Sequence, residues 1–67
     1  MKIIVLNGVI GEKIIKDVKA IPRIGEKIDL FYTPLPVVID VIWYPTKETL
    51  SKIDVKNIDI DALIFTD

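Results

Sequence analysis

An all-β fold is what this 67-residue sequence predicts: five short strands in an antiparallel meander, closed into a small barrel of SH3-like or OB-like shape. Three observations lead there. The apolar residues fall in short, β-branched runs; glycine, proline and asparagine separate those runs; and Ile28, Leu30 and Tyr32 alternate with Lys27, Asp29 and Phe31 with a period of two. A single domain spans residues 1–67, because a chain this short has room for no more.

The first strand, Lys2 to Leu6, is apolar on both faces, so something must cover each side of it. Asn7-Gly8 follows and reads as a type I′ hairpin turn, whose two central residues both take positive φ. Residues 12–21 admit two readings. Ile10, Ile14, Val18 and Ile21 recur at helical spacing, whereas the β-branched Ile14, Ile15 and Val18 and the glycines at 8 and 11 favour a second strand. The strand is preferred, with Gly11 as a bulge that bends it toward closure. A helix at 12–21 would instead make the fold a two-layer α+β domain.

Pro22 ends this element, since it cannot donate to a ladder, and Gly25 permits the reversal into a third strand. There Ile28, Leu30 and Tyr32 alternate with Lys27, Asp29 and Phe31. The fourth strand lies in "PVVIDVIWYP". Strict alternation places Val37, Ile39, Val41 and Trp43 on one face and Val38, Asp40, Ile42 and Tyr44 on the other. Thr46 caps a short helical turn within 46–53, and the last strand is centred on Ala62 to Thr66.

Composition narrows the function. Hydrophobic residues make up 51% of the chain, a high share for so little interior, and with no Cys and no His there is neither a disulfide nor a zinc site to add stability. Covering the surplus apolar surface calls for a homo-oligomer or a dedicated partner protein. The lack of cysteine fits a reducing cytoplasm. The N-terminal run is broken by Asn7 and Gly8 and shows no cleavage site, and no segment approaches the roughly 20 apolar residues of a membrane span, so the expectation is a soluble cytoplasmic protein without a membrane partner.

At "IPRIGEKI" and "VVIDVIWYP" the sequence resembles a diffuse group of short β-rich proteins of bacteriophages and low-GC bacteria, in which a Pro-x-x-Gly-Glu turn leads into a strand and an Asp-containing apolar strand ends in an aromatic. The likeness covers Ile21 to Tyr44 and departs from the group at Pro45 to Asn57, a connection that is shorter there. It implies a small accessory protein of a bacterial host cell that binds and modulates or inhibits something, and it supplies no activity.

Catalysis is disfavoured on chemical grounds. Ser51 and the four threonines have no histidine to activate them. Asp54, Asp59 and Asp61 lack the spacing of a calcium loop, Asp29 and Asp40 read as outward acids rather than an acid-base pair, and Gly8, Gly11 and Gly25 are too scattered to cradle a phosphate. No metal, cofactor or catalytic residue is expected. The leading expectation is a non-enzymatic protein-interaction module that self-associates, with Val38, Asp40, Ile42, Tyr44 and Phe31 as the candidate interface. Trp43 and Tyr32 are assigned to the core, and Phe31 and Tyr44 to the surface. The alternative is an oligomer that sequesters a nucleotide-like anion between an aromatic and the basic residues Lys13, Lys16, Lys19 and Arg23. A single-stranded nucleic-acid binder ranks third, because nine basic residues interleave with ten acidic ones for a net charge of -1.

Overall fold

The computed structural model describes residues 1–29, 34–53 and 59–67. These form, in chain order, β1 (Ile3–Asn7), β2 (Gly11–Ile15), β3 (Val38–Trp43), the helix α1 (Lys47–Lys52) and β4 (Ala62–Thr66). The strands make one mixed sheet in the order β2-β1-β4-β3. β1 runs antiparallel to β2 and parallel to β4, and β3 runs antiparallel to β4.

The expected five-stranded barrel is corrected. Among the described residues the sheet has four strands and is open, with β2 and β3 at opposite edges. The reason lies in the two central strands. Ile3, Ile4 and Val5 of β1 and Ala62, Leu63 and Ile64 of β4 are all buried, so both strands need cover on both faces, which is found at the centre of a sheet rather than in a barrel wall facing water. A parallel pair also needs a long crossover, and the chain between Asn7 and Ala62 supplies it.

Each face has its own apolar cover. On the first, Ile3, Val5, Val38, Ala62 and Ile64 form a cluster against which Ile10, Ile15, Val18, Ile21, Ile28 and Val41 pack. The second joins Ile4 and Leu63 to Leu50 and Ile60, with Leu6, Ile42, Ile53 and Phe65 at its margin. Six residues are far too few for a helix to persist alone in water. Burial of Leu50, worth about 2 kcal/mol, holds α1 on the sheet, and Thr46 caps it as expected, its Oγ1 accepting from the Thr49 N–H at 3.2 Å.

Residues 12–21 form no helix. β2 takes Gly11–Ile15, and the chain beyond it runs irregularly across the first face. The helical spacing of Ile10, Val18 and Ile21 therefore reflects three contacts with one sheet face, reached without a helix, while Ile14 sits on the opposite face beside Ile4. Of the expected third strand, Lys27 makes an isolated antiparallel bridge to Val37, and the Ile28 N–H donates to Pro36 O at 3.0 Å. The rest of that strand, Leu30, Phe31 and Tyr32, lies outside the described residues, as does Asp54.

The hairpin after β1 also departs from expectation. Its loop is three residues long, Gly8 to Ile10, and positive φ falls on Gly11 (86°) instead of on Asn7 and Gly8. Asn7 is committed elsewhere. Its buried side chain accepts from the Val9 and Ile10 N–H groups at 2.8 and 3.0 Å and donates to Thr66 Oγ1 at 2.9 Å and Asp67 O at 3.0 Å. One amide thus forms the turn and ties β1 to the end of β4.

In β3 the pairing passes from Val38–Thr66 to Asp40–Phe65, leaving Ile39 as an inserted residue, a bulge. This corrects the alternation read from sequence. Val38 joins Val41 on the first face and is 1% exposed, whereas Ile39 turns outward at 53%. Asp40 and Ile42 share the second face, without Val38.

Candidate binding surface at the outer end of strand β3

The outer edge of β3 leaves backbone groups and aromatic side chains open. Its first part is covered: the Gly25 N–H donates to Val38 O at 2.8 Å and the Val38 N–H to Glu26 O at 2.9 Å. Beyond the bulge this cover stops. The Tyr44 N–H donates inward to Asp61 O at 2.8 Å, so by antiparallel alternation Val41 and Trp43 turn their backbone groups away from β4. An open edge of this kind invites pairing with another strand. Asp40 blocks it locally, because its Oδ1 accepts the Val41 N–H at 2.9 Å. The Asp40 carboxylate is thus exposed and occupied with its own strand's edge.

Side chains dominate what remains. Trp43 is 52% and Tyr44 69% exposed, with ring centroids 5.9 Å apart and planes tilted by 48°. Trp43, expected in the core, stands opposite Ala62 at the margin of the first face. Tyr44 holds a left-handed φ of 46°, costly for a bulky residue and doubly unusual before a proline. Its inward N–H bond and the helix start that follows at Thr46 fix it there. Strain kept at an exposed aromatic is a recognised mark of a functional position.

Beside Trp43 runs an open groove of about 540 Å³. Val41 and Trp43 form one wall, and the stretch Lys19 to Ile24 forms the other. The groove therefore gathers Lys19 and Arg23 from the four predicted basic residues. Lys13 is on the opposite edge strand β2, and Lys16 follows that strand. Neither Lys19 nor Arg23 makes an ion pair among the described residues, where the pair found is Lys52–Glu48 at 3.9 Å.

The candidate interface is divided by the fold. Tyr44 and Asp40 are exposed, Ile42 is half-buried against the helix-side cluster, Val38 is inside the core, and Phe31 lies outside the described residues. Sequence reasoning missed Ile39 and the groove. The first needs the bulge, and the second joins segments some twenty residues apart. Of the acids weighed as metal ligands, Asp61 accepts the Lys2 N–H at 2.8 Å and Asp59 is exposed. No group of three or more potential metal ligands gathers among the described residues. Among the same residues, no helix is long and apolar enough to cross a membrane. Compared with known proteins, the chain matches no family model and shows no significant similarity to a curated protein or a solved structure.

Proposed function

We propose that this chain is a non-enzymatic protein-interaction module that binds a second copy of itself through the side chains at the outer end of β3. The observation that carries this reading is the exposed Trp43–Tyr44 pair, with Tyr44 held in a strained backbone conformation. Aromatic residues are the side chains most enriched at protein interfaces, where one ring removes a large apolar area from water at little entropic cost. Ile39 extends the same edge. The high apolar content of a chain with so small an interior supports the reading independently.

Contact runs through side chains and not through an added strand, because the Asp40 carboxylate and the bulge obstruct the backbone edge. A cytoplasmic site of action and an accessory role of the bacterial or phage kind fit the cysteine-free composition and the resemblance at Ile21 to Tyr44. Light scattering over a concentration series tests the proposal. The mass is expected to rise with concentration in the wild type and to stay at the monomer value in Tyr44→Ser. A wild type that remains monomeric throughout overturns it.

A further inference from the structure

We infer that the groove between Lys19–Ile24 and the end of β3 binds a planar phosphate ester, with its ring on Trp43 and its phosphate held by Lys19 and Arg23. This site belongs to one copy of the chain and does not rest on self-association.

Charge is the first argument. Among the described residues, the groove's lining carries two basic side chains, Lys19 and Arg23, and no acid. The acid next to it, Glu26, folds back so that its Oε1 accepts the Arg23 backbone N–H, and among the described residues the guanidinium makes no ion pair. Two cations lining one groove, neither in an ion pair among the described residues, suit a phosphate, with arginine supplying a planar fork of donors.

The second argument is the ring. Trp43 lines the groove and is half exposed, so indole surface is available for stacking, an interaction worth about 1–3 kcal/mol for a nucleobase. Size agrees, since about 540 Å³ falls within the range of small-molecule pockets. The cationic wall is also held in place before any ligand arrives. The Val18 N–H donates to Met1 O at 2.7 Å, the Gly25 N–H donates to Val38 O at 2.8 Å, and Pro22 locks φ between the two cations.

The chemistry of the wall separates this ligand from its relatives. A nucleoside lacks the charge and inorganic phosphate lacks the ring, so each would use only half of the groove. Trp43 is the single tryptophan, and its fluorescence reports the site directly. Titration with adenosine monophosphate at low salt is expected to quench it saturably, with adenosine and inorganic phosphate each binding at least about tenfold more weakly. The double variant Lys19→Gln/Arg23→Gln is expected to lose about tenfold in affinity or more while keeping its circular dichroism spectrum, since both side chains are exposed. At protein concentrations that keep the wild type monomeric, Tyr44→Ser is expected to bind the nucleotide as the wild type does, which separates this site from the self-association surface that shares Trp43. No saturable quenching, equal affinity for adenosine, or an unchanged affinity in the double variant overturns the inference. A single-stranded oligonucleotide that binds far more tightly than the mononucleotide also overturns it, in favour of an extended nucleic-acid surface.

Discussion

Truncating Val38 and Ile39 separately tests the bulge, on which the whole surface of β3 depends. Val38→Ala removes two carbons from a side chain that is 1% exposed and packed among Ile3, Val5, Ala62 and Ile64. At about 0.8 kcal/mol per buried carbon the lost transfer energy is about 1.6 kcal/mol. A cavity in so small a core raises the cost to about 2–3 kcal/mol. A domain of this size is stable by only about 3–10 kcal/mol, so the melting temperature is expected to fall by about 10–20 °C. Ile39→Ala removes more carbon but from a side chain more than half exposed, and its cost is expected to stay near 0.5 kcal/mol. Urea unfolding followed by circular dichroism, at protein concentrations low enough to exclude self-association, measures both. Equal costs, or a larger cost for Ile39→Ala, would mean that strict alternation holds and that β3 has no bulge.

Four further substitutions probe the edge, the buried network and the hairpin. Asp40→Ala frees the outward Val41 N–H, and is expected to change stability by less than about 1 kcal/mol while promoting strand-to-strand assembly, seen as large species in sedimentation velocity; a variant that simply unfolds would place Asp40 inside the fold. Asn7→Ala breaks the link to Thr66 and Asp67 and removes the acceptor for two turn amides, for an expected loss of about 2–4 kcal/mol in chemical denaturation. A loss below about 1 kcal/mol would show the amide to be replaceable by water. In the hairpin, Gly11→Ala is expected to cost about 1 kcal/mol through its positive φ alone, because a Cβ there meets nothing within 4 Å, whereas Gly8→Ala should be close to neutral in the same thermal melts. The reverse ranking would restore the type I′ turn.

Much of the secondary structure was legible in local pattern. The first strand with its two apolar faces, the last strand at Ala62 to Thr66, the presence of a hairpin after β1 and the Thr46 cap all appear where residue chemistry puts them, although the hairpin's turn type does not. What local pattern does not carry is partnership. That β1 and β4 lie side by side and parallel depends on chain ends 59 residues apart, and the Asn7 amide chooses its turn geometry partly because Thr66 waits at that distance. The bulge at Ile39 is similarly invisible, since "VVIDVIW" alternates equally well without it. The candidate site follows the same division. Exposure of Tyr44 and the outward placement of Asp40 were readable from alternation near the strand's end, whereas the choice of Lys19 and Arg23 over Lys13 and Lys16 comes from the path of residues 16–29 across the sheet. Trp43 was assigned to the core because strict alternation puts it on the face of Val37, Ile39 and Val41. Its place on an edge strand, opposite the small Ala62, brings it to the surface instead.

Self-association through the end of β3 is tested most directly by backbone amide shifts recorded over a dilution series of the wild-type protein. Concentration-dependent shifts are expected to concentrate at Ile39 to Tyr44 and to be absent from β2, at the far edge of the sheet. Spectra that do not change on dilution, or shifts that cluster on β2, would contradict the proposed surface.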